Sequence, residues 1–246
     1  MRIKKDITNI DYTRTKSFFQ NRASKYREDN PYSVTMYQDN NADLVRMRNE
    51  KEMNKLIPRL KLSKDSKVLD IACGIGRWAD RMPEDIREYF GVDFSDELVS
   101  IANKRNHRDN ISFAQGAASE IEEVLKESGK GKFNRALLIG ILMYLNEADV
   151  KAMFEQLERV CAEHAVICVR EPIGLGERLT LQNFYSDELK DDYNAIYRTR
   201  DEIIGFLQKS LLDNGFEIKE EGFLFDEDQT LNNRKETAQY YFILER

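Results

Sequence analysis

In the run VLDIACGIGRWAD, residues 68–80, a short apolar segment carries an acid, Asp70, near its end and is followed by Gly74 and Gly76. Glycines at a strand exit let the chain turn sharply and let a bulky ligand touch backbone. A second acid, Asp93, ends the apolar run in YFGVDFS, about 20 residues further on, the offset at which a carboxylate grips ribose hydroxyls. Together they read as adenosine recognition. GIGRWA also fits a GxGxxA dinucleotide fingerprint, so a nicotinamide dehydrogenase stays open at this point. Asp93 could equally serve as a helix cap before Ser95, and Cys73 as filler. The two histidines, His107 and His164, lie in strongly polar surroundings and read as solvated surface. With no histidine cluster and no carboxylate constellation near the glycines, no metal is expected. Two other segments, FFQNRASKYREDNPYSVTMYQDN and FYSDELKDDYNAIYRTRDE, are rich in tyrosine and arginine. Guanidinium forks and phenol hydroxyls suit a phosphate, and tyrosine faces suit an amine. An amphipathic helix with solvated charge is the plainer alternative for a residue such as Arg22.

These residues need a sheet to hold them. From Lys67 onward short apolar runs alternate with helical patterns, which predicts stacked βαβ units around a mostly parallel sheet. Strands are expected at Lys67–Ile71, Tyr89–Val92, Ile111–Ala114, Arg135–Ile139 and Ala165–Val169. Helices are expected to start near Arg77 or Trp78, at Ser95–Lys104 with Ser95 as N-cap, at Asn146–Cys161, and at Asp201–Asn214 with Gly215 as a left-handed stop. Two strands, Phe216–Phe225 and Ala238–Glu245, complete an α/β sheet of seven. Residues 1–58 fall outside this rhythm and read as an N-terminal helical cap. Residues 171–200 read as a substrate-side insert after the fifth strand, between a core at 59–170 and a C-terminal helix and strand pair at 201–246. One domain is expected to hold all four parts.

At 246 residues and 41% hydrophobic content the chain can bury one sizeable core. A net charge of −6 gives no general attraction to nucleic acid or anionic lipid and points to small-molecule partners. Three cysteines without a CxxC pair suit reduced thiols and no disulfide, and no segment approaches a membrane span. A cytoplasmic protein without nucleic acid or membrane partners is expected.

The string LDIACGIG closely resembles the first motif of class I S-adenosylmethionine-dependent methyltransferases. The resemblance implies a Rossmann-like fold with helices on both faces and S-adenosyl-L-methionine as cofactor, leaving S-adenosyl-L-homocysteine. It implies that Asp70, Cys73, Gly74 and Gly76 surround the amino-acid part, that Asp93 accepts from both ribose hydroxyls, and that Phe94 packs on adenine. Ala117 and Ala118 stand where the family often has an acid against the adenine amino group, so backbone and apolar contact must hold that ring. FNRALLIGILMYLNEADV, with Ile139 at its strand end, resembles the motif beneath the sulfonium, although Asn134 replaces the more usual Asp. The following GILMY differs from the Asn/Asp-Pro-Pro-aromatic signature of many nucleobase methyltransferases. RASKY, PYSVTMYQDNN, REPIG and AIYRTRDE resemble bacterial small-molecule methyltransferases of capsule and surface-polysaccharide biosynthesis, phosphoethanolamine N-methyltransferases among them. That likeness implies lid roles for Tyr12, Tyr26, Tyr32 and Tyr37 and a phosphate end at Arg170, Tyr193, Tyr197 and Arg198, with Tyr144 and Tyr12 as candidate catalytic hydroxyls. The chain departs from the eukaryotic phosphoethanolamine enzymes in offering no well-placed histidine to pair with a tyrosine. Methylation of a sugar or phosphoramidate oxygen, and cofactor binding without turnover, stand as alternatives.

Overall fold

The computed structural model describes residues 1–246 apart from Gln38, Glu188, Glu227 and the side chain of Gln229. In chain order the strands are β1 (Arg2–Lys4), β2 (Lys67–Ile71), β3 (Glu88–Asp93), β4 (Ile111–Gln115), β5 (Phe133–Ile139), β6 (Cys161–Gly174), β7 (Leu179–Ser186), β8 (Asp191–Tyr197), β9 (Glu217–Phe223) and β10 (Thr237–Glu245). The helices are α1 (Tyr12–Ser24), α2 (Ser33–Met36), α3 (Ala42–Leu56), α4 (Asp96–Arg105), α5 (Ile121–Glu127), α6 (Glu147–Val160) and α7 (Arg200–Ser210).

Seven strands form one sheet in the order β4-β3-β2-β5-β6-β10-β9. β2 pairs in parallel with both β3 and β5, and β10 is inserted antiparallel between β6 and β9. This is the expected Rossmann-like sheet. Chain order reverses between β2 and β5, so the crevice beyond their carboxyl ends is where a ligand of such a sheet sits. Strand alternation divides the core between two faces. Leu69, Ile71, Phe90 and Leu138 pack with Phe154 and Leu157 of α6, whereas Val68, Tyr89, Leu137 and Cys168 pack with Met53 and Leu56 of α3. Ser95 caps α4 by accepting from the Leu98 N–H at 3.2 Å, and Gly215 is left-handed at φ 91°, both as expected. Thr199 and Glu202 make a capping box at the start of α7.

Two sequence expectations are corrected. No α-helix follows the glycine loop; residues 74–78 are turns and only Ala79–Arg81 coil into a 3-10 turn. Pro83 accounts for this, since it drives Met82 into the extended region (ψ 138°) and halts any helix there. The fifth strand of the main sheet, β6, runs on to Gly174, well past Val169, because β10 pairs with it along its whole second half. The segment after it is a hairpin, β7–β8, which β1 extends antiparallel into a second sheet. Among the described residues no helix is long and apolar enough to cross a membrane.

Candidate functional site

The β2 exit is tightly held. Ala72 adopts φ 65°, unusual outside glycine, and the Ala72 and Cys73 N–H groups both donate to the Val92 carbonyl at 2.7 and 3.0 Å. Gly74 at φ 56° then lies so close to α2 that a Cβ there would stand 2.8 Å from Thr35 Cγ2. Asp93, 4% exposed, accepts from the Gly74 N–H at 2.8 Å and the Ser95 N–H at 3.0 Å, so one carboxylate ties the loop to the start of α4. Burial pushes its pKa up to about 6 even though those two N–H groups pull it down. Asp70 accepts from the Tyr89 hydroxyl through Oδ2, while its buried Oδ1 has no partner among the described residues. Burial lifts the Asp70 carboxyl to about 7 against the pull of Tyr89 and Arg77.

Asp70 and Cys73 line a cleft enclosing about 1010 Å³ not filled by protein atoms, part of it open to solvent. Across it stands a row of phenols: the Tyr37 and Tyr144 hydroxyls lie 2.7 Å apart, and those of Tyr144 and Tyr193 2.8 Å apart. Tyr197 lines the same wall, hydrogen-bonded toward Tyr193. Burial raises Tyr37, Tyr144 and Tyr193 far above the usual phenol range, so at neutral pH they are hydroxyls that share protons and not phenolates. Tyr144 rides on a 3-10 turn, Leu142–Tyr144, pinned from behind. Glu171 accepts from the Ile141 and Leu142 N–H groups at 2.6 and 2.8 Å, and Arg198 donates to the Leu142 and Leu145 carbonyls at 2.5 and 2.7 Å.

Of the residues singled out in the sequence, the structure thus brings Asp70, Cys73, Ile139, Tyr37, Tyr144, Arg170, Tyr193 and Tyr197 to one cleft, with Gly74 and Gly76 in its adjoining loop. Phe94 lies beside it, edge-on to Phe19 of α1, whose ring also meets Tyr144. Ala117 and Ala118 follow β4, next to Asp93, whose carbonyl accepts from the Gly116 N–H at 2.9 Å. Four others look away from the cleft. Arg198 is committed to backbone carbonyls and Glu147. Tyr12 is 41% exposed, donating to Asp149 and accepting from the Asn146 N–H at 2.7 Å. Tyr32 donates to Asp80 at 2.8 Å, and Tyr26 accepts from Arg105 at 3.4 Å. Arg22, far from being solvated, is fully buried and clasps the Ser33 and Val34 carbonyls and Asp39, which folds α2 back on α1. The sequence reading missed Arg48, Glu52, Arg77 and Trp78 in the cleft wall. The signal was present for two of them, since Arg48 and Glu52 are one turn apart in α3 and share a face.

Comparison with known proteins agrees with this architecture. Residues 68–164 match the family model described as a methyltransferase domain. A curated relative, the 23S rRNA (uracil(1939)-C(5))-methyltransferase of Aliivibrio salmonicida, is 30% identical over 95 residues, which are 37% of this chain and 21% of that protein. The chain therefore spans about a fifth of the length of that relative. Magnesium protoporphyrin IX methyltransferase from Synechocystis PCC 6803, solved with bound S-adenosylmethionine, superposes with a TM-score of 0.63 at 14% identity over 98% of this chain and 99% of that one. Phosphoethanolamine N-methyltransferase 1 of Haemonchus contortus, solved with phosphoethanolamine and S-adenosylhomocysteine, gives 0.67 at 17% identity over 94% of this chain and 48% of that one. Residues 68–164 thus match a methyltransferase-domain model, and the whole chain shares the fold of these solved methyltransferases.

Proposed function

We propose that the chain transfers a methyl group from S-adenosyl-L-methionine to the nitrogen of a small phosphorylated amine, with phosphoethanolamine as the first candidate, in capsule or surface-polysaccharide synthesis. The observation that carries this is the row of hydroxyls on Tyr37, Tyr144 and Tyr193 facing the glycine loop across one cleft, with Tyr197 and Arg170 beside it. The donor fits its side through a buried Asp70 oxygen in the cleft wall that has no donor among the described residues and suits an N–H. In this reading Asp70, Cys73, Gly74 and Gly76 hold the methionine end. Asp93 takes the ribose, Phe94 with Ala117 and Ala118 frames adenine, and Ile139 closes the floor.

The bound donor supplies an electrophilic methyl; the protein's work is to place a lone pair in line with it and exclude other nucleophiles. A neutral phenol suits that work, since the Tyr144 oxygen can accept from an amine N–H and so aim its lone pair. Raised phenol pKa values argue against a tyrosinate base, so the ammonium proton leaves to solvent at the open mouth of the cleft. Arg170, Tyr193 and Tyr197 take the phosphate through charge-assisted hydrogen bonds. Arg198 and Tyr12 act at one remove, fixing the turn that carries Tyr144 and the start of α6, and Tyr26 and Tyr32 fasten the lid to Arg105 and Asp80.

The deciding experiment is a mass-spectrometric assay with labelled S-adenosylmethionine and phosphoethanolamine, run beside Asp93→Ala. Methylated amine from wild type alone supports both halves. Donor binding without product would sink the amine and move sugar and phosphoramidate hydroxyls to the front; donor binding without product on any acceptor would mark a non-catalytic binder.

A further inference from the structure

Behind the tyrosine wall a buried acid holds the turn that carries Tyr144. Gly140 is left-handed at φ 72° and Ile141 right-handed at φ −101°, a pairing that makes successive N–H groups converge. The Gly140 N–H goes to the Arg170 carbonyl at 2.7 Å, and those of Ile141 and Leu142 both reach Glu171 Oε1, at 2.6 and 2.8 Å. Such concavities ordinarily take a bound anion, and here β6 supplies a carboxylate from within the chain. Glu171 is 1% exposed, and its Oε2 is buried without a partner among the described residues. The ionisable groups around it come from three elements. Arg170 precedes it on β6, Tyr240 stands across from it in β10, and Arg198, balanced by Glu147, grips the Leu142 and Leu145 carbonyls of the same turn. Burial lifts the Glu171 carboxyl to about 7, against the pull of the turn's N–H groups and of Arg170.

A carboxylate and a carboxylic acid do not hold this turn alike. The ionised group meets both N–H donors with a full charge, and charge-assisted hydrogen bonds are about twice as strong as neutral ones. A proton on Oε2 removes that charge and adds an O–H that finds no acceptor among the described residues. We infer that Glu171 is a positioning residue for methyl transfer: its carboxylate sets the pose of the Leu142–Tyr144 turn and, through it, the place of the Tyr144 hydroxyl between those of Tyr37 and Tyr193. This rests on Tyr144 being the hydroxyl that aims the acceptor. Glu171 acts through the turn and touches neither reactant, so its signature lies in turnover and not in donor binding. The grip is full where the carboxyl is ionised and slackens as pH falls through about 7.

Two measurements on the full chain test this. The first follows kcat against pH at saturating S-adenosylmethionine and phosphoethanolamine, so that donor affinity does not enter. Wild type should lose turnover in acid with a midpoint of about 7. Glu171→Gln keeps an oxygen for the two N–H groups and has no proton to gain. Its kcat should be about 10-fold lower in alkaline buffer, with the midpoint gone and S-adenosylhomocysteine Kd within about twofold of wild type. A midpoint that survives in Glu171→Gln, or a donor Kd that weakens as much as kcat falls, overturns the assignment. Should Glu171→Gln fail to fold, Glu171→Asp keeps the charge with a shorter reach and should lose about 10-fold in kcat with a midpoint still present; an unchanged kcat overturns the assignment. The second measurement needs no acceptor. In protein carrying ring-13C tyrosine, the Tyr144 signal, identified by its absence in Tyr144→Phe, should shift with the same midpoint in wild type and stay flat in Glu171→Gln. A signal indifferent to that substitution overturns the anchor even if phosphoethanolamine is methylated. Wild type that makes no product while the signal behaves as expected would bring down the amine acceptor and leave the anchor standing.

Discussion

The two walls of the cleft are built on different plans. The glycine-loop wall comes from one stretch of chain, Asp70 to Ser95, in which the Val92 carbonyl holds the Ala72 and Cys73 N–H groups and the buried Asp93 carboxylate holds those of Gly74 and Ser95, at the ends of adjacent strands. The tyrosine wall draws Tyr37, Tyr144, Tyr193 and Tyr197 from the N-terminal segment, a 3-10 turn and an inserted hairpin, and joins them through side chains, by shared hydroxyls and edge-on rings. Main chain locked by main chain makes a fixed socket. Phenols that can trade donor and acceptor roles make a wall that adapts to what arrives. Variants should therefore damage the first wall through binding and the second through turnover.

The largest effect is expected from Asp93→Ala. Two buried N–H groups lose their acceptor, at about 1–3 kcal/mol each, and S-adenosylhomocysteine affinity should fall by about 100-fold or more with a lowered Tm. Calorimetry and thermal melts check this; affinity within threefold of wild type would break the contrast. Tyr144→Phe removes the hydroxyl shared by Tyr37 and Tyr193, and should cut kcat by about 100-fold with donor Kd within about twofold. A drop in donor affinity as large as the drop in kcat would show that the walls are not separable.

Acid titration gives a smaller effect with opposite signs for stability and binding. The carboxyls of Asp70 and Asp93 are raised to about 7 and about 6, above their unfolded values. The native state therefore binds protons more tightly, so their contribution to stability is full below the unfolded carboxylate range and is lost as pH rises through 6 to 7. Donor binding needs the ionised forms, so affinity should climb by up to about tenfold per pH unit over the same window while the free protein's Tm declines. Donor titrations and melts at half-unit intervals test this, and an affinity flat across the window removes both carboxylates from the donor site. The smallest effect is expected from Tyr12→Phe, whose hydroxyl meets Asp149 and Asn146 at the surface: kcat within about threefold of wild type, checked in the same assay.

The two walls also differ in how far they could be read in the sequence. Asp70 and Asp93 lie on consecutive strands whose short apolar runs announce them, with Gly74 and Gly76 in the turn between, and the Ser95 cap and Gly215 stop follow from local chemistry. The hairpin β7–β8 was not legible, because its sheet depends on β1, well over a hundred residues earlier in the chain. Tyr193 and Arg198 are five residues apart in the same segment, and residue type alone does not say that one reaches a neighbouring phenol and the other backbone carbonyls. Nothing local singles out Glu52 and Arg77, because their partners, each other and Arg170, are scattered over more than a hundred residues.

Trp78 is the chain's single tryptophan, 2% exposed, in the cleft wall, with the Arg77 guanidinium 5.9 Å from its ring. The protein therefore carries its own optical reporter. Light absorbed only by indole comes back from one place in the cleft wall, and the emission of an unlabelled sample can follow occupancy of the cleft in real time.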